Sequence, residues 1–307
     1  MRTSGNAWVI ILAGGSGRRI ESFTVNHQGI SVPKQFCRFR DQRSLLSWTL
    51  ERAQQSVASS RIVVVVAEQH RSWWQPELRG IPAENVLSQH ENYGTATAIA
   101  LGLNRILEQD RFPLILSMPS DHDVEDPEVF GQSLDQALRV AERSPEHVIL
   151  LGITPDRPDP EYGWILAGVA EPDGTRPVAR FVEKPALSAS RLLMQLGAMW
   201  NSFVFAATGN ALRALFARAE LDLLSVPLRG LLAGPRGLAV RERAAVPACD
   251  FGRQVLERAP ECLRVLPVPP CGWSDLGTPG RLAAWLERHR ETSYWSDRQE
   301  VVPQRSA

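Results

Sequence analysis

Lysine is nearly missing from this chain of 307 residues. Of its 34 basic residues only Lys34 and Lys184 are lysines, and the other 32 are arginines. A coding bias toward arginine explains generic positive charge. It does not explain positions where chemistry needs a compact ammonium on a flexible stem, for which a planar guanidinium is no substitute. Net charge is missing too, because 34 acidic residues balance the 34 basic ones. There is thus no basic excess for a nucleic-acid backbone or an acidic membrane. No run approaches the ~18 consecutive apolar residues of a membrane span. The apolar run at 8–13 is too short and wrongly flanked for a secretory signal. The four cysteines, Cys37, Cys249, Cys262 and Cys271, form neither a CxxC pair nor a zinc spacing, so free thiols in or near a core are expected. These absences exclude nucleic acid, membrane and a disulfide scaffold, and the chain reads as a cytoplasmic protein. With 44% hydrophobic and 22% charged residues, it has the composition of an ordinary globular domain.

What is present alternates. Apolar, β-branched runs at 8–13, 61–67, 113–118 and 147–153 read as inner strands. Helical spacing fills 44–57, 95–107 and 127–142 between them. This rhythm predicts an α/β fold, a Rossmann-like, doubly wound, mixed and mostly parallel sheet. Beyond 155 the pattern changes. Strands at 163–169 and 177–183 flank the turn Glu171-Pro172-Asp173-Gly174. Helices are expected at 186–196, 210–219 and 279–290, and a strand at 200–207. The expected organisation is one domain over 1–290, with halves meeting near 155, and a polar tail over 291–307. Residues 221–247, rich in Leu, Pro, Gly and Arg, take no assignment.

Five motifs carry chemistry. The first strand runs into Gly14-Gly15-Ser16-Gly17-Arg18-Arg19, followed by Pro33-Lys34-Gln35-Phe36. A glycine loop after a strand lets backbone N–H groups wrap phosphate oxygens, and Arg19 and Lys34 add charge beside it. It is neither a Walker A loop, since no Gly-Lys-Ser/Thr follows, nor the dinucleotide fingerprint, since Ile20 stands where Gly or Ala is needed. Met118-Pro119-Ser120-Asp121-His122 follows a strand, where open α/β sheets bind ligands. A carboxylate there suits a magnesium ion, although an Asp that caps the next turn has the same sequence. Phe181-Val182-Glu183-Lys184-Pro185 holds the second lysine, as a sugar and phosphate contact or as an ordinary strand-end ion pair. Trp200-Asn201-Ser202 and Trp273-Ser274-Asp275-Leu276-Gly277 suit a sugar wall and a second carboxylate.

Taken in order, together with Tyr162-Gly163-Trp164-Ile165 and the stretch from Gln89 to Ala100, these motifs resemble the sugar-1-phosphate nucleotidyltransferases. The bacterial mannose-1-phosphate guanylyltransferase branch is the most similar, over about residues 7–290. The resemblance implies attack of a sugar 1-phosphate on the α-phosphorus of a nucleoside triphosphate, with pyrophosphate leaving. GTP and mannose 1-phosphate would be the substrates and GDP-mannose the product. It implies that Gly14, Gly15, Gly17, Gln89, Gly94 and Thr95 hold the nucleotide. Arg19, Lys34, Asp121 and Lys184 would be the catalytic set. Gly163, Glu183, Lys184 and Asn201 would hold the sugar phosphate, and Asp121 and Asp275 would bind Mg²⁺. It also leaves room for a homodimer.

The chain departs from the family pattern in four places. Arg18 replaces a usual Thr, and the segment between Arg19 and Lys34 is longer. Tyr93-Gly94 replaces Arg-Asn, and Ala248-Cys249-Asp250-Phe251 replaces Ser-Ile-Asp-Tyr. No β-helix or cupin-like extension follows, so a fused second activity is not expected. These departures bear on the base and the sugar more than on the reaction, and three other readings stay open: the same reaction with another nucleoside triphosphate or sugar 1-phosphate, a catalytically silent homologue that senses a nucleotide sugar, and a cytidylyltransferase acting on a polyol phosphate.

Overall fold

The computed structural model describes residues 7–26, 29–224, 232 and 248–289. The tail expected over 291–307 and most of 221–247 lie outside the described residues. Among the described residues nine strands form one sheet: β1 (Ala7–Ala13), β2 (Ile62–Ala67), β3 (Val86–Gln89), β4 (Leu114–Pro119), β5 (Val148–Ile153), β6 (Gly163–Ala167), β7 (Arg176–Glu183), β8 (Met199–Thr208) and β9 (Leu263–Val268). Their order is β3-β2-β1-β4-β8-β5-β9-β7-β6. The first four are parallel. Only β7 and β8 run against the remaining strands. The sheet is therefore mixed with one dominant direction, as the sequence predicts.

The same residues form eight α-helices: α1 (Leu45–Ser56), α2 (Arg71–Glu77), α3 (Gly94–Leu107), α4 (Pro127–Arg143), α5 (Leu187–Gln195), α6 (Gly209–Arg218), α7 (Phe251–Gln254) and α8 (Pro279–Arg288). Residues of β1 alternate between two cores. Val9, Ile11 and Ala13 pack with α1, α4 and α8 on one face. Trp8 and Ile10 pack with α3, α6 and α7 on the other. Burial on both faces explains why β1 and β2 read as unbroken apolar runs rather than alternating ones.

Sequence cues set the helix starts. Ser44 caps α1 by accepting from Ser47 N–H, Asp126 caps α4 with Pro127 in its first turn, and Thr208 caps α6. Each satisfies an orphan donor of the first turn. The turn at 171–174 closes with Gly174 N–H donating to the Glu171 carbonyl, and Gly174 has φ +85°. Elements that the periodicity does not announce are α2, α7, β3 and β9. Pro76 lies inside α2, β3 has only four residues, and Pro267 sits within β9. Among the described residues no helix is long and apolar enough to cross a membrane, and all four cysteines are free thiols.

Candidate active site

The strand order reverses at β1, with β2 on one side and β4 on the other. Loops leaving neighbouring strands diverge at such a point and open a crevice at the carboxyl ends. A cavity of about 290 Å³ occupies it. Gly14 and Gly15 line it from the end of β1, Asp121 from the end of β4, and Asn201 from the start of β8. The register of β6 against β7 sets Gly163 opposite Glu183. Both line the same cavity, as do Arg19, Lys34, Gln89, Gly94, Thr95, Lys184 and Asp275. Of the residues expected from sequence, only Gly17 stays off the wall. It shapes the loop instead, with φ +64°, and a Cβ there would sit 3.0 Å from the backbone nitrogen of Lys34.

Lys34 is the hub. Its side chain is 7% exposed, and its ammonium lies 2.7 Å from Asp121 Oδ2. The same ammonium donates to the carbonyl of Asp275. One lysine therefore ties the glycine-loop segment to both aspartate segments. Asp121 caps no helix; that task falls to Asp126. Asp275 gathers its partners on Oδ1: the Tyr162 hydroxyl at 2.8 Å, the Gly277 N–H at 3.1 Å and Arg281 Nε at 3.0 Å. Burial alone would raise the Asp275 pKa, but Lys34, Arg281 and the Tyr162 hydrogen bond hold it below the usual carboxylate range. The Tyr162 hydroxyl is pushed up by burial and by the Asp275 charge, so it stays a donor.

His122 accepts at Nδ1 from the Trp273 indole, at 3.3 Å. Burial lowers its pKa to about 4, against a smaller opposing effect of Asp121. It is therefore neutral near pH 7 and packs edge-on against Trp273.

On the opposite wall, Glu183 is packed against Gly163 and Gly252, and burial raises its pKa although Lys184 opposes this. The Lys184 ammonium lies 3.2 Å from Glu183 Oε1, and the side chain is 44% exposed. The strand-end ion pair considered from sequence thus exists, inside the cavity wall. Lys184 has φ +48°, and Phe203 (φ +60°) and Leu276 (φ +47°) share this left-handed conformation at or beside the cavity. Side-chain-bearing residues adopt it at a cost of about 1–3 kcal/mol, and such strain clusters at functional sites.

Gly94 opens α3 at φ +82°, where a Cβ would meet the Cys249 carbonyl oxygen at 2.2 Å. The close approach is held by Cys249 N–H to the Tyr93 carbonyl, Ala96 N–H to the Cys249 carbonyl, and Phe251 N–H to Thr95 Oγ1. Gln89 is 3% exposed, and its Nε2 has no partner among the described residues. Among those residues no group of three or more His, Cys, Asp or Glu could hold a metal. Asp121 and Asp275, facing one cavity, match instead an ion that arrives on phosphate oxygens and needs only one or two carboxylates.

Sequence reasoning misses Glu161, which pairs with Arg19 across the mouth of the cavity, and Arg281. Arg281 is buried between Asp159, at 2.9 Å, and Asp275, and lies over the Tyr162 ring. Neither residue belongs to a motif with a local signal. Gln35, in the Pro-Lys-Gln motif, gains a role only from the structure. Its amide donates to the Ala13 and Gly15 carbonyls and so braces the glycine loop.

The nucleotidyl transferase family model matches residues 8–291. The chain is 29% identical to mannose-1-phosphate guanylyltransferase ManC of Salmonella typhimurium over 88% of its own length and 57% of that protein's. Identity to xanthan biosynthesis protein XanB of Xanthomonas campestris pv. campestris is also 29%, with the same shares covered. The chain thus spans a little over half the length of these curated relatives. A Thermus thermophilus structure described as mannose-1-phosphate geranyltransferase superposes with a TM-score of 0.75 at 29% identity, over 89% of this chain and 76% of that one. An inositol-1-phosphate CTP transferase of T. maritima, 17% identical with a TM-score of 0.60 and covering 94% of this chain and 97% of that one, shares the fold. By the family model, by these relatives and by the order of its motifs along one cavity, the chain belongs to the nucleotidyl transferase family.

Proposed function

We propose that the protein transfers a nucleotidyl group from a nucleoside triphosphate to a sugar 1-phosphate, with GTP and mannose 1-phosphate as substrates and GDP-mannose and pyrophosphate as products. The observation that carries this reading is that both lysines of the chain line one cavity, together with the glycine loop and both aspartates. A phosphate oxygen of the sugar 1-phosphate attacks the α-phosphorus, the bond to the bridging oxygen breaks, and pyrophosphate departs with that electron pair. Such a transfer asks little covalent chemistry of a protein; alignment and charge neutralisation supply most of the acceleration.

The backbone of Gly14 and Gly15 cradles the phosphates, and Arg19 and Lys34 neutralise them. Lys184 meets the phosphate of the sugar. Glu183, Asn201 and the backbone of Gly163 hold the sugar hydroxyls. Asp121 and Asp275 would hold Mg²⁺, which neutralises phosphate charge when bound. Gln89, whose amide nitrogen has no partner among the described residues, would lie beside the base with Gly94 and Thr95. The guanylyltransferase name of ManC supports guanine as the base.

The test is pyrophosphate release across four nucleoside triphosphates and a panel of sugar 1-phosphates, with Mg²⁺ or with EDTA. Turnover should be highest with GTP and mannose 1-phosphate and should vanish with EDTA. Absence of turnover with every pair would favour the silent sensor.

A further inference from the structure

Arg281 and Trp285 stand one turn apart on α8 and so share a face, and each reaches a different aspartate segment. Arg281 pairs with Asp275 at 3.0 Å. The Trp285 indole donates to Asp123 Oδ2 at 2.7 Å, two residues beyond Asp121. Both side chains are buried. The two segments are also joined directly, because Asp123 and Ser274 exchange backbone hydrogen bonds at 2.9 and 3.0 Å in an isolated antiparallel bridge. In an antiparallel bridge the residues before Asp123 run beside those after Ser274, so Asp121 and Asp275 flank the same end of it. The 121–123 segment is also held by buried Arg52 of α1, which donates to the His122 carbonyl at 3.2 Å, and by Arg40, which approaches Asp123 at 4.0 Å.

We propose that α8 is a positioning element for the two carboxylates. Trp285 acts through Asp123 to fix the 121–123 segment, and Arg281 fixes the rotamer of Asp275. Neither residue lines the cavity with Asp121 and Asp275, so both act through other groups. The inference rests on the reading of Asp121 and Asp275 as the metal carboxylates. Groups that orient ligands from behind are commonly worth 10–100-fold in metal affinity.

The test is Mn²⁺ binding to the full-length protein in the presence of a non-hydrolysable GTP analogue, read as the protein-dependent change in the electron paramagnetic resonance spectrum, with the Mg²⁺ dependence of turnover as a second readout. Trp285→Phe keeps a buried ring and deletes the donor. It should weaken Mn²⁺ binding about tenfold and raise the Mg²⁺ needed for half-maximal rate by a similar factor. kcat at saturating Mg²⁺ should be little changed. Arg281→Lys keeps the charge but loses the fork, and serves where Trp285→Phe does not fold; the same shift is expected. Arg288→Gln, with an exposed side chain at the end of the same helix, should leave both readouts at the parental value. Folded Trp285→Phe and Arg281→Lys proteins that bind Mn²⁺ like the parent would overturn the proposal. If Asp121→Asn and Asp275→Asn also bind Mn²⁺ like the parent, the metal reading itself has failed and the positioning role falls with it.

Discussion

Lys34→Arg preserves charge and should nevertheless cripple the enzyme. The Lys34 side chain is 7% exposed and its ammonium spans Asp121 and the Asp275 carbonyl. Its backbone nitrogen lies 3.0 Å from where a Gly17 Cβ would be, so the segment is tightly packed against the glycine loop. A guanidinium is larger, planar and unable to place one nitrogen at the old ammonium position without moving that loop. Overpacking of this kind costs about 1–3 kcal/mol of stability. Loss of one preorganised charged donor at a reacting phosphate lowers kcat by about 10²–10³. Lys184→Arg is the internal comparison. That side chain is 44% exposed, so a guanidinium has room, and a loss under about tenfold is expected, or under roughly 1.4 kcal/mol. From sequence the two lysines are equivalent exceptions in an arginine-rich background. Burial separates them. Initial rates of pyrophosphate release for both variants, with thermal melts to confirm folding, check the reasoning. Near-parental turnover of a folded Lys34→Arg protein would refute it.

Three further outcomes are expected. Gly94→Ala should lose at least about 1–3 kcal/mol in urea denaturation, because φ +82° and the 2.2 Å approach to Cys249 both oppose a side chain; nucleotide affinity should fall with it, whereas Gly15→Ala, with open space around it, should fold normally. Stability should depend on His122: its folded pKa of about 4 lies below the ordinary value of 6.5, so its contribution is complete above 6.5 and is lost as pH falls toward 4. That amounts to roughly 2 kcal/mol between pH 7 and pH 5 by linkage, and His122→Gln should flatten this slope in denaturation at the two pH values. Asp275→Asn should lower turnover at least about 10²-fold while weakening the hold of Arg281, which calorimetry would register as a lower melting temperature.

Much of the fold is legible because the parallel half announces itself. β1 and β2 are buried on both faces, and that environment selects unbroken Val and Ile runs. The entry of β8 between β4 and β5 is not legible, since an antiparallel insertion is a tertiary choice with no local period. β9 is hidden by Pro267, which its partner strands tolerate in register opposite Gly152. The candidate site is legible at strand ends, in Gly14, Asp121, Glu183 and Lys184, and in the one other lysine of the chain, Lys34. Its supports are not. Arg281, Asp123 and Trp285 belong to no motif; Trp285 meets Asp123 and Arg281 meets Asp159 across more than 100 positions of sequence, and one arginine among 32 carries no signal of its own.

The most direct measurement is ³¹P NMR of the protein mixed with GTP, mannose 1-phosphate and Mg²⁺. The α-phosphorus resonance of GTP should give way to the paired resonances of a nucleoside diphosphosugar, with pyrophosphate appearing in equal amount. Release of inorganic phosphate with GDP, or an unchanged spectrum with every triphosphate and sugar 1-phosphate tried, would contradict it.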